Sequence, residues 1–399
     1  MKEFFSKIFS REEVNTGRQI EVDIAKAICI IGMIFVHAFE QVPMIEGSGG
    51  VGEFVLLRIL NTLFGATTFM FCMGLGISYT RKNEPNTIIF RGFVIFVIGA
   101  VLNFLRFALP ILITMIFNPD IYTVDDVIIS IMENDILYFA GLAMMLLGLL
   151  KKLKTPLWGM LLIAVAMSIA GTFLQDYNVD NLPLNLFLGW FVGMVDSTGL
   201  DTSSYFPLFN WFIMVVAGYA FAAVLKRVKD KNKFYLVFSS VGLLVVAIYC
   251  AIGIPFGIGV FGESFICTYH IRIYDALVSV FGAVAVFGAY FALSKILPQF
   301  LLNGASALSK YINTVYCIQW IIYGDITVIF EVCAPDFVFD AIYVVLIAIG
   351  VIVISTTLAW LYKSVLPRVR EKNKQKTVTI ITKIFETVLS KMKSHLIMK

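Results

Sequence analysis

Charge is what this sequence has least of. Only 15% of its 399 residues are Asp, Glu, Lys or Arg, against 59% hydrophobic residues and a mean hydropathy of +0.87. That balance excludes an ordinary soluble domain and places the chain in the multi-span membrane class. Histidine is scarcer still, at three residues in the whole chain. The six cysteines (Cys29, Cys72, Cys250, Cys267, Cys317, Cys333) form no CxxC and no Cys/His ligand spacing, so neither a zinc site nor a redox motif is expected and no metal is assigned. Cys267 and Cys333 fall in expected outer loops, where pairing is open, but they read more simply as two unpaired residues. Also missing are GxSxG, Walker A, HExxH and DxD-type clusters near a span, which argues against a serine hydrolase, an ATPase and a zinc protease. The leading MKEFFSKIFSREEVNTGR has no signal-peptide h-region and no small-residue cleavage site, so the first apolar segment is expected to remain as a membrane helix.

The charges that are present are unevenly placed. From Lys363 onward ten Lys or Arg stand against two Glu, a balance of +8, which leaves 21 against 25, or −4, for the rest of a chain whose total is +4. The basic tail does not amount to a nucleic-acid-binding signal. Its Ile381, Ile384, Phe385, Val388, Met392 and Leu396 alternate with Lys383, Lys391 and Lys393, a basic amphipathic pattern suited to an anionic membrane surface. Three regions follow: a short polar lead-in over 1–18, a transmembrane domain over 19–362 and this tail over 363–399.

Within 19–362 the apolar runs predict an all-α, polytopic bundle of about ten transmembrane helices. They lie at Arg18–Gln41, Val55–Tyr79, Ile88–Leu109, Asp135–Leu150, Leu157–Leu174, Pro207–Leu225, Phe234–Ile254, Ala276–Leu297, Leu308–Phe330 and Val338–Tyr362. Leu184–Val195 is apolar but too short to cross, and reads as a re-entrant or interfacial segment. Lys and Arg gather in the alternate loops that begin with Arg81 and Lys82, whereas Arg272 is the one such residue in the other set. Positive-inside logic therefore puts both termini in the cytoplasm of a multi-pass plasma-membrane protein. No internal repeat is visible, which lowers the expectation of an inverted-repeat transporter.

Ionisable residues inside spans are costly and mark functional candidates. The first span carries Asp23, Lys26, His37 and Glu40 at alternating steps of three and four residues, with Ile30 and Met33 between, so all share one stripe of the helix. Lys26 and His37 lie about 16 Å apart along the axis, roughly half the thickness of a hydrocarbon core. A stripe of this kind is expected to face a protein interior or a water-filled cavity. His37 is the one histidine in a span, and a neutral imidazole there can accept a proton; the competing reading is a buried ring bonded to a neighbouring carbonyl. Asp23 and Lys26 also fit a simple intrahelical pair near the inner interface. Arg91 and Arg106 on the third span fit headgroup contact or, for Arg106 with Asn103 one turn before it, a polar ligand. Asp325 is a further ionisable candidate, on the ninth span. His270, in an outer loop, either reaches the mouth of a cavity or is solvated. Asn313, Tyr316, Gln319 and Tyr323 form a polar strip suited to interhelical hydrogen bonds or to a pocket wall.

The stretch AKAICIIGMIFVHA resembles the first helix of the membrane-embedded acyltransferase superfamily, in which acyltransferase family 3 places an Arg, ten residues and then the catalytic His. Here Lys26, ten residues and His37 keep that spacing. RQIEVDIAKAICIIGM, FMFCMGLGISYTRK and YFPLFNWFIMVVAGYAF are similar to the heparan-α-glucosaminide N-acetyltransferase-like branch. SALSKYINTVYCIQW is similar to a later helix of the superfamily, with Gln319 where a His is common. The resemblance implies an integral membrane acyltransferase moving an acyl group, in the first instance acetyl, from cytoplasmic acetyl-CoA or another acyl-CoA to an extracytoplasmic or lipid-linked carbohydrate. It implies His37 as base or acyl carrier; Lys26, Asp23 and Arg91 on the donor side; and Glu40, Asn103, Arg106, His270 and Gln319 as acceptor or pocket wall. Lys in place of Arg keeps the charge and loses the bidentate fork. Membrane lipids are the other expected partners, and a homo-oligomer is compatible with the sequence. The alternative from a different class is a proton-coupled secondary transporter or a lipid or polysaccharide exporter that uses His37 and Asp23 as a relay.

Overall fold

The structure, a computed structural model, describes residues 6–45, 47–175, 179, 181–193, 204–262 and 269–363. Its elements are helical and no strand occurs among the described residues, so the chain is a polytopic helical membrane bundle. In chain order the helices are α1 (Ile20–Gln41), α2 (Ala66–Tyr79), α3 (Pro85–Asn103), α4 (Val124–Met132), α5 (Ile136–Lys152), α6 (Leu157–Leu174), α7 (Leu182–Gly189), α8 (Leu208–Leu225), α9 (Lys231–Phe256), α10 (Ile273–Ile296), α11 (Gln299–Cys333) and α12 (Ala341–Lys363). Eight of these, some with their helical continuations, are long and apolar enough to cross a membrane, namely α1, α3, α6 and α8 to α12. The remaining two expected spans are α2, of 14 residues, and α5, of 17.

Three departures from the expected spans have local causes. The second span does not begin as an α-helix: Gly50–Phe54 leads into a π-helical stretch, Val55–Gly65, before α2 starts. The third does not end at Leu109 but runs on to Phe117 through a π-helical turn at Phe104–Ala108. Pro110 lacks the N–H that would bond to the Arg106 carbonyl, and the helix widens where that bond is missing. The apolar Leu184–Val195 stretch contributes only the eight-residue α7, with residues 194 and 195 outside the described set. Cys267 and the tail beyond residue 363 also lie outside it, while Cys333 is exposed.

The most extensive helix pairs are α3 with α5, α2 with α8, α9 with α10, and α1 with α11. Small residues permit the closest of these approaches. A Cβ on Gly74 would sit 1.8 Å from the Val215 carbonyl oxygen, and one on Gly218 would sit 1.9 Å from that of Phe71, so α2 and α8 touch backbone to backbone. The perimeter is apolar, with Phe90 and Phe93 on α3, Leu243 and Leu244 on α9 and Trp360 on α12 exposed, as hydrocarbon contact requires.

The polar lead-in is more firmly held than its composition suggests. Ile8 is wholly buried, backbone bonds join Ser10 to Arg227 and Lys229 to Ile8, and Lys231 donates to Glu21 at 2.6 Å. The lead-in thereby ties α1 to the α8–α9 turn. One end of the bundle carries Arg81, Lys82, Lys151, Lys226 and Lys231. The opposite end, where α1 and α11 finish, carries mainly carboxylates.

Candidate functional site

The site is assembled at the acidic end from α1, α11 and the segment before α5. The facing turns of α1 and α11 are held in register by two bonds: Tyr323 Oη donates to the Ile34 carbonyl at 2.9 Å and Thr327 Oγ1 to the Gln41 carbonyl at 3.0 Å. That register sets His37 opposite Tyr316, Gln319 and Trp320, which a spacing of three and four residues puts on one face of α11. His37 Nδ1 lies 3.1 Å from Gln319 Oε1. The imidazole rests on the Trp320 indole, centroids 4.1 Å apart, and meets the Tyr316 ring edge-on at 6.2 Å.

Behind Trp320 lies a closed charge network. Arg106 is wholly buried, with Nη1 2.9 Å from Asp135 Oδ2 and Nη2 2.6 Å from Glu133 Oε1. Its guanidinium carbon sits 4.2 Å from the Trp320 ring centroid and 4.8 Å from that of Phe107. Tyr316 Oη donates to the same Asp135 Oδ2 at 2.5 Å, while Asp135 Oδ1 accepts from the Ile136 amide at 2.6 Å and caps α5. Asn103 Nδ2 donates to the Ile131 and Glu133 carbonyls, at 3.2 and 2.8 Å. Gly324 admits the Arg106 backbone, for a Cβ there would meet the Arg106 carbonyl oxygen at 2.1 Å.

A cavity of about 600 Å³ opens beside this cluster, and His37 is part of its wall. Six carboxylate residues line it, Glu40, Glu53, Asp126, Glu133, Asp135 and Glu331, and no Lys or Arg does among the residues whose side chains are described. Tyr269 donates to Glu40 and Tyr122 to Glu331. Burial, together with the adjoining carboxylate, pushes both hydroxyls above the usual phenol value, so both remain proton donors. The chamber is thus an acidic one that stabilises positive charge.

The candidates from the sequence fall into three groups. His37 and Glu40 line the cavity, and Gln319 stands directly behind His37. Arg106, Asn103 and His270 do not line it. Arg106 and Asn103 serve the network above, and His270 is neither solvated nor at the mouth: it is buried, with Nε2 2.6 Å from the Ser204 carbonyl oxygen. The third group lies toward the basic end. Asp23 pairs not with Lys26 but with Arg18 Nε at 2.6 Å, and accepts from Ser306 at 3.0 Å. Lys26 is half-buried beside α2, where a Cβ on Gly76 would be 3.4 Å from its Nζ, and has no ion-pair partner among the described residues. Arg91 is half-buried on α3. Tyr316, from the polar strip on the ninth expected span, lines the cavity, whereas Tyr269 and Trp320 are additions as site residues. The place of Trp320 next to Gln319 on one helix face was the available signal for it, and nothing in the sequence around Tyr269 separated it from His270.

The comparisons with known proteins bear on this arrangement. The family model described as heparan-alpha-glucosaminide N-acetyltransferase, catalytic, matches residues 18–253. That is more than half of the chain. The protein belongs to this family. Comparison with curated proteins and with solved structures found no match. The matched region runs from the start of α1 nearly to the end of α9 and includes His37, Arg106, Glu133 and Asp135. Gln319 and Trp320, on α11, lie beyond it.

Proposed function

We propose that this membrane acyltransferase moves an acetyl group from acetyl-CoA, approaching from the basic, cytoplasmic end, to the amine of an amino sugar or to a sugar hydroxyl that enters the acidic cavity from outside. The observation that carries the reading is His37, the imidazole in the cavity wall, one turn before the end of α1. In the reaction the acceptor nitrogen or oxygen attacks the thioester carbonyl carbon and the C–S bond breaks. His37 takes the acceptor's proton and returns it to the departing thiolate, giving free CoA and an amide or ester. A two-step variant passes the acetyl group through the His37 nitrogen. Lys26, and more distantly Arg91, offer positive charge to the donor's phosphates, whereas Asp23 is engaged with Arg18 and Ser306 and acts by holding that end of α1.

The cavity charge favours a cationic or neutral acceptor over a sulfated or otherwise polyanionic one. Arg106 partly compensates Glu133 and Asp135, and the other carboxylates of the wall, Glu40, Glu53, Asp126 and Glu331, attract an ammonium and repel an anion, the more so in a space partly screened from water. An amino-sugar terminus therefore suits it best, its ammonium releasing one proton to water before the free amine attacks. The test is thiol release from acetyl-CoA by the purified protein in nanodiscs, offered a panel of amino sugars and neutral sugars. Release that requires an acceptor and is lost in His37→Ala supports the reading. A folded wild type that neither releases thiol nor binds acetyl-CoA overturns it, and proton-coupled uptake without thiol release would establish a transporter instead.

A further inference from the structure

The two nitrogens of the His37 ring have different surroundings. Nδ1 faces Gln319 Oε1 at 3.1 Å, and Gln319 is wholly buried and outside the cavity wall. His37 itself lines the cavity, so the edge of the ring that reaches it is the Nε2 edge, and Nε2 has no hydrogen-bond partner among the described residues. A neutral imidazole carries one N–H, and whichever nitrogen donates it leaves the other with the free lone pair. We propose that Gln319 is a positioning residue that accepts the Nδ1–H bond of His37, fixing one tautomer and directing the Nε2 lone pair into the cavity.

A neutral carboxamide suits the task. A carboxylate at this position would favour the imidazolium, in which neither nitrogen has a lone pair to offer, and would add a negative charge near an Asp135 already matched by Arg106. The α1–α11 register supports the assignment, because the Tyr323–Ile34 and Thr327–Gln41 bonds bring Gln319 level with His37. The Trp320 ring then limits rotation of the imidazole about its own bond. Turning the Gln319 amide over would reverse the outcome. An N–H would point at Nδ1, and His37 would carry its proton on Nε2, facing the cavity with no lone pair. The catalytic part of the inference rests on the acetyltransfer reading, but the tautomer is a property of the resting protein.

The test follows from that separation. The full chain, labelled with ¹⁵N-histidine and reconstituted in nanodiscs, contains only three histidines, and His270→Gln and His37→Gln variants assign their signals. The expected wild-type result at neutral pH is a protonated Nδ1 and a bare Nε2 for His37. In Gln319→Met, which keeps side-chain length and removes the acceptor, the signal is expected to become a mixture of tautomers. The same variant is expected to lose about 100-fold in kcat, within the usual range for a general base, with KM for acetyl-CoA within about twofold and the thermal midpoint nearly unchanged. A protonated Nε2 in the wild type overturns the inference without any variant. So does an unaltered Nδ1–H tautomer, or an unaltered kcat, in Gln319→Met. A wild type that shows the expected tautomer but no transferase activity refutes acetyl transfer and leaves the Gln319 assignment standing.

Discussion

Replacing Arg106 by Met is the sharpest test of how the acidic cavity is held together. Arg106 is wholly buried and compensates two carboxylates, Asp135 at 2.9 Å and Glu133 at 2.6 Å, while its flat face lies on Trp320. Removing one partner of a buried ion pair costs about 3–5 kcal/mol, because the remaining charge keeps its desolvation penalty and loses its compensation. The two carboxylates are not equally stranded. Asp135 keeps the bonds from Tyr316 and the Ile136 amide, and Glu133, with 14% of its side chain exposed, can draw water from the cavity. The expected loss therefore lies near the lower bound, about 3 kcal/mol. Thermal unfolding in nanodiscs, followed by tryptophan fluorescence, measures it. A triple variant that adds Glu133→Gln and Asp135→Asn should recover most of the loss, since the penalty comes from orphaned charge and not from the missing side chain. A single variant within about 1 kcal/mol of wild type, or a triple variant no better than the single, would refute the reasoning.

Four further outcomes are expected. Gly218→Ala forces α2 and α8 apart, because its Cβ would meet the Phe71 carbonyl oxygen at 1.9 Å, and should cost about 3 kcal/mol, the upper end of the usual overpacking range, on the same assay. Gly32→Ala, which has open space around its Cβ, should be neutral or slightly stabilising. Glu53→Gln combined with Asp126→Asn should raise KM for an amino-sugar acceptor several-fold and leave that for a neutral sugar unchanged. Raising the ionic strength from low salt to about 0.5 M should mimic the effect in wild type by screening. Lys26→Met should raise KM for acetyl-CoA about tenfold, as loss of one phosphate-directed charge would, and change KM for acetyl-pantetheine, a thioester donor without phosphates, much less; initial rates with the two donors separate these outcomes.

The helical membrane architecture was legible because apolar runs of about twenty residues have few other uses, and the alternation of Lys- and Arg-rich loops with Lys- and Arg-poor ones added a direction. Not legible were features that depend on where a helix departs from α geometry. Pro110 looked like the start of a loop, but it marks a π-helical turn that carries Arg106 inward. The site was legible in its first half, since His37 and Glu40 share a stripe that an amphipathic count exposes. Its second half depends on partners hundreds of positions away. Glu133 resembled an outer-loop charge, and although the sequence places the start of the fourth span at Asp135, nothing in its neighbourhood announces that this cap is buried. His270 looked solvated beside Arg272, yet backbone carbonyl chemistry claims it. Asp23 followed the simplest local rule on paper, pairing three residues along with Lys26, and chose Arg18 because the lead-in folds back beneath α1.

One consequence of the stripe concerns the route between its two ends. Ile30 is wholly buried and Met33 lies in the cavity wall, so in the resting protein two apolar side chains separate Lys26 from His37. A donor whose phosphates rest near Lys26 brings its thioester to His37 only if that apolar plug yields. Met33 is suited to yielding, being unbranched with three rotatable bonds, whereas a β-branched side chain of similar volume has essentially one rotamer in a helix. Met33→Ile is therefore expected to lower kcat severalfold while leaving the dissociation constant for CoA unchanged, and Met33→Leu to behave like wild type. Initial-rate kinetics beside equilibrium CoA binding would separate the two effects. Wild-type turnover by Met33→Ile would mean that the thioester does not pass this residue. Donor and acceptor would then both reach His37 through the acidic cavity.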